Sequence, residues 1–302
     1  MATYSLKQRS KLQALAIALF VVKVKVCPWH SSPQRVICKQ FKTNLSIVQF
    51  NQPVQFVRRP LCARYPMLAS HPSHTSGIIL KQPHPQKVLV LGDSLVYGFG
   101  DPEGGGWVER LRRLTMAPGR EGAVFYNLGV RGDGVSQVQQ RLDHEFRNRG
   151  EIRNRVPDLI VLSVGINDSA RVGNSLGRNR TDFDAFQEQM NDLLTQARRL
   201  CPVLFVGMTP VNEQAMPFSE VLYYTHSDQW RYREATRLAC TSLNIPYLDV
   251  LNLWLGRGEP WWLPLVSADG LHPNVGGYRA LLHDILGWDA FQAAVDLPTG
   301  QI

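Results

Sequence analysis

Residues 87–95 read Lys-Val-Leu-Val-Leu-Gly-Asp-Ser-Leu, and this stretch decides the fold. Four consecutive apolar residues are typical of a strand that is buried on both faces, as in a parallel sheet. Gly-Asp-Ser follows at the carboxyl end of the strand, which is the edge where open α/β sheets bind their ligands. We therefore interpret Ser94 as a candidate nucleophile that faces a crevice.

Segments of strand type and helix type alternate after this stretch. The predicted strands cover residues 123–127, 158–164, 202–208 and 245–250, and the predicted helices cover 107–115, 135–147, 181–200, 227–243 and 275–286. This alternation predicts an α/β protein made of βαβ units, with a parallel sheet covered on both faces. Because crossovers are right-handed, a five-stranded flavodoxin-like sheet is the simplest arrangement.

Charge is distributed unevenly along the chain. Residues 1–87 contain 13 Lys or Arg and no Asp or Glu, whereas the residues that follow contain 20 Arg, no Lys and 25 Asp or Glu. The net charge of +8 therefore comes from the N-terminal part. A body without surplus cations is poorly suited to neutralise phosphates, so we predict no nucleic-acid partner. A phosphate-binding P-loop is not expected either, since no G-x-x-x-x-G-K-[ST] sequence occurs.

The basic extension of residues 1–86 has four possible interpretations. Its apolar segment Leu12–Val22 follows basic residues as in a signal peptide, but it is too short to span a bilayer comfortably and no clear cleavage site follows it. The other three interpretations are an organelle transit sequence, a poorly ordered extension and a translation start at Met67. The abrupt change in composition favours the last two.

These observations lead to a domain prediction. We expect a catalytic body over residues 87–295 and a short tail over 296–302. The protein is expected to be cytoplasmic, with membrane contact possible only through the N-terminal extension.

A nucleophilic serine needs a neighbouring base. Four histidines follow the serine: His144, His226, His272 and His283. We expect His144 and His283 to lie inside helices in surface or packed positions, and His226 to lie at a helix entry. None of these three is the preferred base.

His272 is the preferred base because it lies in a loop before the last predicted helix, in the sequence Ser-Ala-Asp-Gly-Leu-His-Pro-Asn of residues 267–274. Asp269 lies three residues earlier and could turn back to orient the imidazole. Together with Ser94 these residues would form a catalytic triad. An Asp-x-x-His pair alone is weak evidence, and its position after a strand strengthens it.

Acyl transfer also needs hydrogen-bond donors for the developing oxyanion. The candidates are the backbone N–H of Ser94, the backbone N–H of Gly132 and the side-chain amide of Asn167. A glycine required only for turn geometry is an equally good explanation of Gly132. A turn-forming asparagine is a fair alternative for Asn167.

Four sequence blocks occur in order and resemble those of the GDSL, or SGNH, hydrolases: Gly92-Asp93-Ser94-Leu95, Gly132-Asp133, Gly165-Ile166-Asn167-Asp168 and Asp269-Gly270-Leu271-His272. The resemblance covers about residues 87–290. The four residues for which the family is named fall on Ser94, Gly132, Asn167 and His272. The resemblance implies a three-layer α/β/α fold and ester hydrolysis, on thioester, acetylated sugar or lysophospholipid substrates in different members, with no metal or other cofactor.

The sequence therefore predicts a serine esterase that acts on a small carboxylic ester. An acyltransferase or thioesterase that uses the same residues is the alternative, and a catalytically silent binding module is a further one. Four aromatic residues could either line the substrate pocket or pack a loop against the sheet: Tyr97, Phe99, Trp261 and Trp262. The segment of residues 212–225 could be a lid or only a connection.

Overall fold

The computed structural model describes residues 85–116, 122–149 and 156–297. Our predictions for the N-terminal extension fall on residues outside these ranges, apart from residues 85 and 86. The same holds for the tail beyond residue 297.

The described residues form seven strands, which are β1 (Lys87–Gly92), β2 (Val124–Gly129), β3 (Leu159–Ser163), β4 (Arg171–Val172), β5 (Val203–Val206), β6 (Leu222–Tyr223) and β7 (Tyr247–Leu248). They also form ten α-helices, which are α1 (Ser94–Tyr97), α2 (Gly106–Thr115), α3 (Val135–Asn148), α4 (Ile166–Ser169), α5 (Phe183–Leu200), α6 (His226–Ser242), α7 (Val250–Gly256), α8 (Glu259–Trp262), α9 (Val275–Leu286) and α10 (Asp289–Ala294). Strands and helices alternate as the sequence predicts.

Five strands form the main sheet in the order β2-β1-β3-β5-β7, and every neighbouring pair is parallel. Counted along the chain, this is the flavodoxin-like order 2-1-3-4-5. The predicted fold class is therefore confirmed. The strands β4 and β6 form a separate antiparallel pair that the sequence analysis did not predict.

Both faces of the sheet are buried. In β1, Leu89 and Leu91 belong to one apolar core, whereas Val88 and Val90 belong to the other. Helices α3, α5 and α6 supply side chains to the first core, and helices α2, α7, α9 and α10 supply them to the second. The uninterrupted apolar run of β1 thus serves two cores because successive side chains point to opposite faces.

The last strand of the sheet is shorter than predicted. We expected it to cover residues 245–250, but β7 contains only Tyr247 and Leu248. Pro246 has no N–H to donate to a neighbouring strand. Asp249 accepts a hydrogen bond from the N–H of Asn252, which starts helix α7 in place of further strand.

The start of α5 also differs from the prediction. Asp182, not Thr181, caps α5 by accepting a hydrogen bond from the N–H of Asp184. The hydroxyl of Thr181 instead donates to Asp168 at 2.6 Å. The predicted helix at residues 275–286 has the bounds expected, but α10 follows it as a further helix.

The strand order places three polar turns side by side. Because β1 lies between β2 and β3, the segments that follow these three strands meet at the centre of the carboxyl edge of the sheet. No helix within the described ranges is long and apolar enough to cross a membrane.

Candidate active site

Ser94 is the first residue of α1 and lies directly after β1. A Cβ atom on Gly92 would lie 2.0 Å from the carbonyl oxygen of Ser163, so only glycine allows β1 and β3 to approach this closely before the turn. Asp93 then caps the helix by accepting a hydrogen bond from the N–H of Leu95 at 2.9 Å. These contacts fix the backbone that carries the Ser94 hydroxyl.

The imidazole of His272 connects Ser94 to Asp269. Its Nε2 lies 2.8 Å from Ser94 Oγ, and its Nδ1 lies 2.7 Å from Asp269 Oδ2. Because an ionised carboxylate can only accept, Nδ1 carries the proton and Nε2 is left as the acceptor for the serine hydroxyl. The structure thus brings together the three residues that the sequence analysis selected.

Asp269 is held by a turn of the same loop. Its Oδ1 accepts hydrogen bonds from the N–H groups of Leu271 and His272, each at 3.0 Å. Burial alone would raise the pKa of Asp269, but the hydrogen bonds from the imidazole and from these two N–H groups outweigh it and hold the pKa below its usual value. Asp269 is therefore a carboxylate at neutral pH.

The His272 ring is enclosed by aromatic side chains. The ring centroid of Phe99 lies 4.6 Å from that of His272, and the ring centroid of Phe218 lies 5.6 Å away, both in edge-on orientation. The backbone of the loop is closed by a 2.7 Å hydrogen bond from the N–H of Ser267 to the carbonyl oxygen of His272. The imidazole is only 2% exposed.

Gly132 lies in a tight turn after β2, with a positive φ of 82° that favours glycine. The turn is closed by a hydrogen bond from the N–H of Asp133 to the carbonyl oxygen of Val130. Within the described residues the N–H of Gly132 has no acceptor, and neither has the N–H of Ser94 at the start of α1. Both groups remain available as donors.

Asn167 lies in the short helix α4, after β3. Its Nδ2 donates to the carbonyl oxygen of Asp133 at 2.9 Å, and its Oδ1 accepts from the hydroxyl of Tyr224 at 3.2 Å. A primary amide has two N–H bonds, so one remains for another acceptor. Burial raises the pKa of Tyr224, which keeps its hydroxyl protonated as a donor. Asp133 follows Gly132 directly, so this contact joins the two turns.

Three further residues stabilise these turns, and the sequence analysis did not select them. Arg141 of α3 donates to Asp133 Oδ2 and to the carbonyl oxygen of Gly92, each at 2.9 Å. Tyr278 of α9 donates to the carbonyl oxygen of Phe99 at 2.9 Å. Tyr224 holds Asn167, as described above. A helical pattern predicts which side of a helix is buried, but it does not predict which distant carbonyl a polar side chain reaches.

Asp93 is fully buried and directly precedes Ser94. Within the described residues its Oδ1 accepts one hydrogen bond, from Leu95, and its Oδ2 has no partner. Burial, with smaller contributions from the nearby carboxylates Asp168 and Asp133, raises the pKa of Asp93 to about 7, against the hydrogen bond from Leu95. Within the described structure no hydrogen bond joins this carboxyl group to the imidazole of His272, whose ring nitrogens contact Asp269 and Ser94.

The aromatic residues considered as pocket walls divide into two groups. Phe99 contacts the imidazole, whereas Tyr97, the last residue of α1, is 52% exposed. Trp262 is buried in the second core, and Trp261 packs edge-on against Trp254 at 5.5 Å. Both tryptophans therefore pack against the protein, which is the alternative to their lining a substrate pocket.

The segment of residues 212–225 forms one wall beside the catalytic loop. The N–H of Asn212 donates to the carbonyl oxygen of Gly270 at 2.8 Å, and a Cβ on Gly270 would lie 2.6 Å from that of Ala215. Phe218 and Tyr224 of this segment contact His272 and Asn167. The segment is thus a connection that also supports the site.

The other histidines lie where the sequence predicts. His144 and His283 are exposed on α3 and α9, and His226 is the first residue of α6. Among the described residues, no group of three or more His, Cys, Asp or Glu side chains is arranged to hold a metal ion.

The GDSL-like lipase/acylhydrolase family matches residues 90–280, which is more than half of the chain. The chain therefore belongs to this family of hydrolases, and the resemblance inferred from its four sequence blocks is confirmed. A comparison with curated proteins finds no match.

Solved structures with the same fold include three hydrolase-type proteins from bacteria. The lipase/acylhydrolase from Enterococcus faecalis is 20% identical, with a TM-score of 0.56, and the match covers 72% of this chain and 100% of that one. The acetylxylan esterase Axe2 from Geobacillus stearothermophilus is 17% identical, with a TM-score of 0.52 over 67% of this chain and 93% of that one. A member of the lipolytic G-D-S-L family from Veillonella parvula is 20% identical, with a TM-score of 0.51 over 68% and 98%. At these identities the similarity concerns the fold.

Proposed function

We propose that this chain is a serine esterase that cleaves small carboxylic esters through an acyl-enzyme intermediate. The observation that carries the proposal is the continuous contact from Ser94 Oγ to the His272 ring at 2.8 Å and from that ring to Asp269 at 2.7 Å. A serine hydroxyl is a weak nucleophile unless a base accepts its proton, and this arrangement supplies the base and its orienting carboxylate.

In the first half of the reaction, Ser94 Oγ attacks the ester carbonyl carbon while His272 Nε2 accepts the hydroxyl proton. Asp269 keeps the other proton on Nδ1 and stabilises the imidazolium that forms. The tetrahedral oxyanion accepts hydrogen bonds from the N–H groups of Ser94 and Gly132 and from the free N–H of Asn167. The alcohol leaves with the proton from Nε2, and the acyl group stays on Ser94.

In the second half, water replaces the alcohol. His272 Nε2 accepts a proton from water as its oxygen attacks the acyl carbonyl, and the same donors bind the second oxyanion. The imidazolium then returns its proton to Ser94 Oγ as the carboxylic acid leaves. Both steps require neutral imidazole, so we expect activity to fall at acidic pH.

Transfer of the acyl group to an alcohol, or cleavage of a thioester, would use the same residues. The observation in favour of transfer is the pair of aromatic rings, Phe99 and Phe218, beside His272, because an acceptor alcohol packs against an apolar surface better than water does. The ratio of ester product to acid product in the presence of added alcohol distinguishes an acyltransferase from a hydrolase.

Replacement of Ser94 by alanine tests the proposal. We expect Ser94→Ala to keep its circular dichroism spectrum and melting temperature but to lose hydrolysis of p-nitrophenyl acetate and labelling by a fluorophosphonate probe. Ser242→Ala is a matched control, because Ser242 lies exposed at the end of α6 and should retain both activities. If Ser94→Ala keeps near-normal turnover, the proposed nucleophile is wrong. If the wild-type protein resists the probe, a silent binding module becomes the better explanation.

A further inference from the structure

Phe99 forms a fixed aromatic surface beside the catalytic imidazole. Its ring centroid lies 4.6 Å from that of His272. Its N–H donates to the carbonyl oxygen of Ser94 at 3.0 Å, and its own carbonyl oxygen accepts from the hydroxyl of Tyr278 at 2.9 Å. Both backbone groups of Phe99 are therefore bonded, which holds the ring in place.

The guanidinium of Arg131 stacks on this ring. Its Cζ lies 3.8 Å from the centroid of Phe99, and Arg131 directly precedes Gly132 in the turn after β2. Stacking uses the flat face of a guanidinium and leaves its in-plane N–H groups free to donate. Arg131 is exposed, so these donors are accessible next to the reacting serine and histidine.

Three other arginines stack on aromatic rings, and each of them also has a carboxylate partner. Arg231 over Phe183 pairs with Asp228, Arg233 over Trp230 pairs with Asp249, and Arg257 over Trp261 pairs with Asp284. In the part of the chain that the structure describes, Arg131 has neither an ion pair nor a side-chain hydrogen bond. Its guanidinium thus rests on Phe99 without an acceptor among the described residues.

We infer that Arg131 binds a carboxylate of the substrate, so that the preferred substrates are esters that carry a second, anionic carboxyl group. A guanidinium matches the two oxygens of a carboxylate in its own plane. A single positive charge balances a single negative one. Asp269, a carboxylate at the same edge of the sheet, disfavours a dianion such as phosphate. This inference rests on the proposed esterase function, because it concerns the substrate of that site.

Two pairs of esters test the inference from the two sides of the ester bond. The first pair, 4-acetoxybenzoate and its methyl ester, differs in charge on the alcohol side. The second pair, mono-p-nitrophenyl adipate and its methyl ester, differs on the acyl side. We expect wild-type protein to prefer the anionic member of at least one pair in kcat/KM, by roughly three- to tenfold at low salt. The preference should decline as ionic strength rises.

Arg131→Gln removes the charge and keeps a polar side chain. We expect this variant to lose the preference for the anionic ester while its kcat/KM for the neutral ester stays within about twofold of wild type. Arg231→Gln is the matched control, because Arg231 also stacks on a phenylalanine but contacts none of the catalytic residues. It should keep the preference.

Other results would overturn the inference. Equal rates on both members of each pair in the wild-type protein would do so, and the esterase proposal would stand. An equal loss on anionic and neutral esters in Arg131→Gln would mean that Arg131 only packs against Phe99.

Binding to the Ser94→Ala protein, measured by calorimetry, separates this inference from the catalytic proposal. If Arg131 recognises a carboxylate, the Ser94→Ala protein should bind 4-acetoxybenzoate or the adipate half-ester more tightly than the corresponding methyl ester. This difference should disappear in the Ser94→Ala, Arg131→Gln double variant. Such a result supports carboxylate recognition even if the wild-type protein hydrolyses neither ester. Equal binding of both members of each pair contradicts it.

Discussion

Asp93 directly precedes Ser94 and Asp269 contacts His272, and these two aspartates lie in contrasting surroundings. Asp93, in the turn after β1, is fully buried and accepts one hydrogen bond from the described residues, and its pKa is raised to about 7. Asp269, in the loop before α9, accepts three hydrogen bonds, two from backbone N–H groups and one from the imidazole, and its pKa is lowered. The two carboxyl groups differ both in burial, which is complete for Asp93 and partial for Asp269, and in how many donors face them.

This difference indicates which aspartate can support catalysis. A carboxylate stabilises an imidazolium only if it stays ionised, and burial without donors favours the neutral form. Asp269 meets that requirement, whereas Asp93 serves the backbone by capping the helix that carries Ser94. Proximity to Ser94 in the sequence is therefore a poor guide to the chemical role of an aspartate.

The largest expected effect is a loss of kcat/KM in Asp269→Asn, which is compared with Asp93→Asn. Asp269→Asn should lower kcat/KM on p-nitrophenyl acetate by roughly 10³–10⁴-fold, since an amide cannot hold the imidazole in the required tautomer. Asp93→Asn retains an oxygen that can cap Leu95, so its loss should be less than tenfold. Steady-state kinetics of both variants checks this. A larger loss in Asp93→Asn than in Asp269→Asn would reverse the assignment.

The next largest effect is expected on kcat when Asn167 is replaced, because Asn167, like Asp269, is oriented by hydrogen bonds. Asn167 is held by Asp133 and Tyr224, so its remaining N–H is positioned in advance. Asn167→Ala should lower kcat by roughly 10²–10³-fold with little change in KM, because an oxyanion donor acts mainly in the transition state. Asn252→Ala, on the exposed side of α7, is the control. A change confined to KM would argue against an oxyanion role.

The smallest effect is on stability, and it has opposite signs at the two aspartates. The pKa of Asp93 is higher in the folded than in the unfolded chain, so the folded state binds more protons between about pH 4 and pH 7. The contribution of Asp93 to the free energy of unfolding therefore falls over that window as pH rises. We expect Asp93→Asn to gain on the order of 2 kcal/mol relative to wild type between pH 5 and pH 8, as measured by urea unfolding.

Asp269 provides the comparison for this measurement. Its pKa is lowered on folding, so its contribution to stability is present above the ordinary aspartate pKa and is lost as pH falls through the folded value. The stability difference between Asp269→Asn and wild type should therefore change only at acidic pH. If the stability differences of Asp93→Asn and Asp269→Asn from wild type changed with pH in the same way, the contrast between the two aspartates would be wrong.

Much of the fold and of the candidate site could be predicted because local patterns decide them. The apolar run before Ser94, the alternation of strand and helix segments and the order of the four blocks predicted the sheet, and the family match confirms the resemblance. The pairing of Asp269 with His272 was predictable because the two lie three residues apart in one loop. The fifth strand was predicted too long because a cap at Asp249 competes with strand extension at the edge of the sheet.

The residues that the predictions missed act across long separations in the chain. Arg141 reaches the carbonyl oxygen of Gly92, 49 residues away, and Tyr278 reaches that of Phe99, 179 residues away. Neither residue type nor helical spacing indicates such a partner, because many buried tyrosines and arginines fit the same pattern.

The amino-acid sequence by itself determined the class of sheet, the nucleophile candidate and the loop that holds the base, since strand burial and turn chemistry are local properties. Only the tertiary structure decided that Ser94 Oγ lies 2.8 Å from His272 Nε2, that Asn167 has one amide hydrogen to spare and that Arg131 rests on Phe99 without a carboxylate partner among the described residues. These three features depend on how distant turns meet at one edge of the sheet. The positions of these turns depend on how two apolar cores pack against opposite faces of β1. Residues far apart in the sequence contribute to both cores.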